Sequence, residues 1–181
     1  MTQEHRVAPV IVRALRGLTV GALAATVIVM APQASVRGAA KHSVEFAITA
    51  GENKSNKTMN FNGLNRGALT ITVPAGWEVV VHFENAGALN HSLAVLPAGG
   101  HQHPEAAAPV FSGATTSDYS AGLSKGAKET ITFEASKAGS YEFVCGVQGH
   151  APVGQWANLI VSATADAPSA APADAVTFTV K

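Results

Sequence analysis

The chain has 181 residues, 47% of them hydrophobic and only 13% charged, with a formal net charge of zero. Those figures suit one soluble domain with appendages. Four of the twelve Lys and Arg residues fall in the first 40 positions, so from residue 41 onward 8 basic residues face 11 acidic ones, which excludes a basic surface for gripping nucleic acid.

Residues 1–40 read as an export signal. Arg6, Arg13 and Arg16 precede an apolar run from Leu18 to Ala31, and small residues follow at Ala34 and Ala40. A retained N-terminal membrane anchor is the alternative, although the run is shorter than the ~20 residues a spanning helix needs. Beyond the leader, Val44, Phe46 and Ile48 alternate with polar residues, the period of a half-buried strand. Leu69, Ile71 and Val73 repeat the pattern until Pro74-Ala75-Gly76 stops it, and Val79, Val81 and Phe83 form a third strand with His82 on its outer side. Asn85-Ala86-Gly87 turns the chain into Asn90-His91-Ser92-Leu93-Ala94-Val95, which sets His91 at the mouth of a strand with an apolar inner face.

From Pro97 to Lys128 the alternation dissolves into Gly, Ala, Pro, Ser and His, with room for a turn of helix but no helical period. Ile131 and Phe133 resume it, followed by Tyr141, Phe143 and Cys145 on one face of a strand, then Gln155, Ala157, Leu159 and Val161 on one face of another. An Ala/Pro-rich stretch from Ala163 to Ala173 reads as a linker, and Val176 to Val180 as a terminal strand of unassigned pairing. Seven to eight short strands without a helical stripe predict an all-β sandwich or barrel over residues 41–163, with residues 164–181 as a tail.

Chemistry concentrates in Tyr141 to Trp156. Cys145 is the sole cysteine, so no intrachain disulfide forms, and an exported free thiol calls for either burial or a metal. His150 follows it by five residues and Gln155 by ten, with Gly146, Gly149, Pro152 and Gly154 to turn the loop. With His91 these residues supply two imidazoles, one thiolate and a weak fourth donor, the set of a mononuclear blue-copper electron-transfer site. Asn90 is a candidate to brace the Cys145 loop through a hydrogen bond. His101 and His103 read as a solvated loop or a second, looser metal site, Trp77 and Trp156 as packing, and His42 as unpartnered.

Several segments carry a resemblance: Phe61-Asn62-Gly63, Val73-Pro74-Ala75-Gly76-Trp77, Asn90-His91-Ser92-Leu93 and above all Cys145-Gly146-Val147-Gln148-Gly149-His150. From about Phe61 to Val161 the chain resembles the cupredoxins, and within them the sulfocyanins. That resemblance implies a cupredoxin-like Greek-key β-sandwich and an exported, periplasmic or extracellular single-electron carrier, often membrane-tethered. It also implies one copper ion cycling between Cu(I) and Cu(II), with His91, Cys145 and His150 as equatorial ligands, and redox proteins of an electron-transport chain as partners of a monomer. The family usually has methionine where this chain has Gln155, and the three methionines, Met1, Met30 and Met59, all precede His91. Gln155 is therefore the candidate axial ligand, an arrangement that resembles the stellacyanin-like cupredoxins. A copper carrier or storage protein, and a copper site reactive toward small molecules, are the rival readings. A Cys-His nucleophilic enzyme lacks a further supporting constellation.

Overall fold

Nine strands form among the described residues, 42 to 181, of a computed structural model. They are β1 (Ser43–Ala50), β2 (Thr70–Pro74), β3 (Glu78–Asn85), β4 (Ala94–Pro97), β5 (Lys128–Glu134), β6 (Gly139–Val144), β7 (Trp156–Ser162), β8 (Ser169–Ala171) and β9 (Thr179–Val180). The leader expected over residues 1–40 lies outside the described residues. Among those described, no helix is long and apolar enough to cross a membrane.

One sheet has the order β5-β3-β1-β9 and the other β4-β6-β7-β2-β8. Each of the first five connections carries the chain from one sheet to the other, which is the Greek-key winding of a sandwich. The crossings leave β1 beside β3 and β2 beside β7 as parallel neighbours, while every other pairing is antiparallel.

Register follows the alternation. Val44, Phe46 and Ile48 of β1 lie beside Val79, Val81 and Phe83 of β3, and all six are buried. In the facing sheet, Leu159 of β7 sits between Tyr141 of β6 and Ile71 of β2. Phe46 meets Phe143 edge-on across the sandwich, with ring centroids 6.1 Å apart. A buried side chain of this size stabilises the fold by about 1.5–3 kcal/mol, so these interleaved rows hold the two sheets together. Slipping a strand by one residue would expose a whole row.

The long excursion from Pro97 to Lys128 contains two short 3-10 turns, Gly100–Gln102 and Pro104–Ala106, and it covers the outer face of β4 and β6. There Ala94, Leu96, Val144 and Ala151 form a second buried cluster, flanked by Ala107, Tyr119 and Trp156. This explains why Ala94-Val95-Leu96 is apolar throughout: the strand is buried on both faces. Glu142, on the same outer face, accepts N–H bonds from Gly99 (3.0 Å) and His101 (3.1 Å) and pairs with His101 Nδ1 at 2.9 Å. His101 also stacks on Trp156 at 4.1 Å. His101 therefore pins the excursion to the sheet, while the exposed His103 ring lies 3.7 Å from the exposed Glu105 carboxylate. The two histidines do not gather into a metal-ligating cluster among the described residues.

The Ala/Pro-rich stretch does not act as a free linker. Its β8 pairs with β2, Val176 enters the main core, and β9 pairs with β1 through Val180 opposite Val44. His42, read from sequence as unpartnered, stacks on Trp77 with centroids 5.0 Å apart. A chain ending at residue 163 loses both pairings and the Val176 contact. Its urea midpoint is expected to correspond to at least about 2 kcal/mol less stability; an unchanged midpoint would show that the tail merely lies on the sandwich.

Candidate metal centre

At the end of β6 the β6–β7 register runs one step further. The Cys145 N–H donates to Gln155 O at 3.2 Å, so the two ends of the eleven-residue loop are tied to each other. Inside it, His150 N–H donates to Val147 O (3.0 Å), Gly154 N–H to Ala151 O (2.9 Å) and Gln155 N–H to His150 O (3.0 Å). These turns fold His150 back over Cys145, whose Sγ lies 3.6 Å from His150 Nδ1. His91 enters from the other side, fixed by reciprocal backbone hydrogen bonds with Leu123 (3.2 and 2.8 Å). The two imidazole rings stand 5.0 Å apart, tilted by 54°.

One donor atom from each of His91, Cys145 and His150 falls within 4.8 Å of the others. His91, Cys145 and Gln155 are fully buried, and His150 keeps 7% of its surface exposed. His91 fits because glycine stands at two neighbouring positions: a Cβ at Gly51 or Gly87 would lie 3.2 or 2.9 Å from His91 Nε2. Both His91 nitrogens and Gln155 Oε1 are buried without a hydrogen-bond partner. Burial first, and the charge of His150 second, hold the His91 imidazole down to about 4, and burial also lowers His150. The Gln155 side chain opposes both shifts, which places it close to both rings although its Oε1 lacks the geometry of a hydrogen bond. Burial pushes the Cys145 thiol up, against a smaller opposing pull from the N–H groups of Ser92 and Val147.

Unpartnered buried polar atoms are rare because each one costs desolvation free energy. Here they converge on a thiol and two neutral imidazoles, and a soft, thiophilic cation satisfies that set of donors. The residues fit a metal ion. Its arrival must displace the Cys145 proton, so uptake is linked to pH.

The bracing role expected of Asn90 falls to Ser92. Asn90 Nδ2 donates instead to the carbonyls of Ala121 (3.1 Å) and Gly122 (3.4 Å) in the long excursion, not to the cysteine loop itself. The Ser92 N–H donates to Cys145 Sγ at 3.4 Å, and its hydroxyl accepts from Gly146 N–H (2.9 Å) while donating to Tyr119 O (2.6 Å). The cause is register. β4 and β6 pair Ala94 with Val144, and two more steps set Ser92 opposite Gly146. The Tyr119 ring packs against Gly146, where any side chain would collide with it. Asn56, Asn60 and Arg66, in the connection between β1 and β2, reach the same loop: Asn56 Nδ2 donates to Val153 O (3.1 Å), Arg66 N–H to Gly154 O (2.8 Å), and Asn60 O accepts from Gln155 Nε2 (3.2 Å). Sequence spacing held no signal for these contacts, which join residues about 90 to 100 positions apart.

The family described as the sulfocyanin (SoxE) domain matches residues 33–171. Sulfocyanin of Sulfolobus acidocaldarius is 39% identical over 130 residues, a match spanning 66% of this chain and 64% of that protein. The chain thus covers less than two thirds of that relative's length. Among solved structures, rusticyanin of Thiobacillus ferrooxidans is similar at 23% identity and a TM-score of 0.48, over 66% of this chain and 77% of rusticyanin. Auracyanin A of Chloroflexus aurantiacus, described as a "blue" copper protein, is similar at 18% identity and a TM-score of 0.45, over 66% of this chain and 99% of auracyanin. At those scores the fold assignment rests on the strand pairings themselves.

The lowered His91 gives the metal-free protein a pH dependence of known sign. Between pH 6.5 and about 4 the unfolded chain takes up a proton that folded His91 refuses. Stability is therefore complete above that window and is lost as pH falls through it, by about 3 kcal/mol in total. Urea midpoints measured across the window should show this slope, and His91→Leu should remove most of it. A wild-type midpoint independent of pH would contradict the burial argument.

Proposed function

The chain belongs to the sulfocyanin domain family, and from that premise we propose that it is an exported, mononuclear blue-copper protein that passes single electrons between redox partner proteins. The convergence of His91, Cys145 and His150 within 4.8 Å, all buried, carries this reading. When bound, copper supplies a one-electron couple between Cu(I) and Cu(II).

The chain's own residues do the rest. Cys145, once deprotonated, offers a soft thiolate, and the Ser92 N–H directed at its sulfur steadies that charge. His91 and His150 offer neutral imidazoles, since burial disfavours their protonated forms. Donors fixed by backbone pairing at the ends of strands do not rearrange when the charge at their centre changes by one, which keeps the barrier to electron transfer small. His150 alone among the four site residues reaches the surface, so its ring edge is the contact through which a partner exchanges the electron. Gln155 would supply the weak fourth donor: its Oε1 is buried, unpartnered and close to both rings. An amide oxygen is harder than a thioether and favours Cu(II), so Gln155 would lower the reduction potential of a bound copper.

Burial separates this reading from its rivals. A copper carrier or storage protein needs donors that an acceptor can reach, and a site for small molecules needs an open coordination position. Here three of the four site residues are fully buried. The leader over residues 1–40 supports export, with a tether to the membrane where it is retained.

Loading the protein with Cu(II) should produce an intense visible thiolate-to-copper band and narrow parallel hyperfine splitting in the EPR spectrum. Cys145→Ser should abolish the band and widen the splitting. Weak ligand-field absorption that survives Cys145→Ser unchanged would end the proposal.

A further inference from the structure

Gln155 presents its oxygen to the two imidazoles only if its amide nitrogen points elsewhere, and one residue decides that. The Asn60 main-chain carbonyl accepts from Gln155 Nε2 at 3.2 Å. A carbonyl can only accept, so the nitrogen must occupy that end of the amide and Oε1 the other. The same carbonyl accepts the Gly51 N–H at 3.1 Å, and Gly51 is one of the two glycines against His91 Nε2. One oxygen thus links the residue under His91 to the side chain proposed as axial donor.

That oxygen is held in place by Asn60's own side chain. Fully buried, it donates from Nδ2 to the carbonyls of Ser55 (2.9 Å) and Asn53 (3.0 Å), closing the connection between β1 and β2 on itself. The closure holds an unfavourable backbone: Asn56, Lys57 and Thr58 lie in succession at φ of 48°, 54° and 70°, a region that non-glycine residues avoid unless their surroundings impose it. Without the Asn60 amide this run relaxes and the carbonyl shifts.

We propose that Asn60 is a positioning residue of the metal centre, which through its main-chain carbonyl fixes the Gln155 amide so that oxygen is the atom offered to the metal. It touches neither the metal nor the electron, and its role rests on the axial reading of Gln155. Asn60→Ala removes the bonds to Ser55 and Asn53, and Asn60→Leu does so with an uncharged side chain of similar size. Either should loosen Gln155, weaken the oxygen donor and raise the reduction potential.

The test is a double-mutant cycle on the copper-loaded protein, with potentials for wild type, Asn60→Ala, Gln155→Met and the double variant, and Asn60→Leu in place of Asn60→Ala if the latter fails to fold. Asn60→Ala should raise the potential in the wild-type background and leave it unchanged in Gln155→Met, where no amide remains to be oriented. An equal shift in both backgrounds overturns the inference alone. A Gln155→Met potential at or below the wild-type value sinks the axial reading and the inference with it. A second readout needs no potential: in the diamagnetic Cu(I) protein the Gln155 Nε2 protons should resist exchange with solvent, and Asn60→Leu should remove that protection. Rapid exchange of those protons in the wild type overturns the inference without any variant.

Discussion

Among the described residues, four buried side-chain polar atoms have no hydrogen-bond partner: both nitrogens of His91, Oε1 of Gln155 and Oδ1 of Asn60. Each forgoes its bonds to water, at roughly 1–3 kcal/mol, and the three on His91 and Gln155 meet at the site of the only cysteine. A fold tolerates such a concentration of unsatisfied groups only when the rest of the molecule holds them there. Most of the architecture is legible as the means of doing so.

Three layers of support meet at the site. The β6–β7 ladder ties Cys145 to Gln155, and that tie fixes the ends of the loop from which His150 folds back. The β4–β6 register brings Ser92 against the sulfur and against Gly146. The connection between β1 and β2 closes the far side, with Asn56 and Arg66 on the loop backbone and Asn60 on the Gln155 amide. The Phe46–Phe143 contact between the sheets and the double-sided burial of β4 keep these layers from sliding. The electron-transfer chemistry proposed for the site asks for this rigidity, since a donor set that cannot move presents nearly the same geometry to either oxidation state.

Much of this was readable from the chain alone, for a physical reason. Period-two alternation reports burial directly, so the strands at Val44–Ile48, Val79–Phe83 and Tyr141–Cys145 were visible, as were His91, Cys145, His150 and Gln155 as candidates. Register was not visible, because it is a relation between strands far apart in sequence. Adjacency to His91 makes Asn90 the candidate to brace the cysteine loop, whereas the pairing of Ala94 with Val144 brings Ser92 there. The excursion hid its role likewise: nothing in Gly-His-Gln-His-Pro shows that Glu142 waits under it for His101. The Ala/Pro composition of residues 163–173 suggested a linker because small residues bury little surface, yet strand pairing needs only backbone and Ala170 finds Ile71.

Under the proposed function the protein fixes its donors before a metal arrives and keeps them fixed as the charge on it changes. X-ray absorption on the copper-loaded protein, oxidised and then reduced, measures this most directly. One thiolate sulfur and two imidazole nitrogens are expected around copper in both states, with the same ligand number and only slight changes in bond length. Loss of an imidazole or of the sulfur on reduction, or gain of a solvent ligand on oxidation, would contradict it.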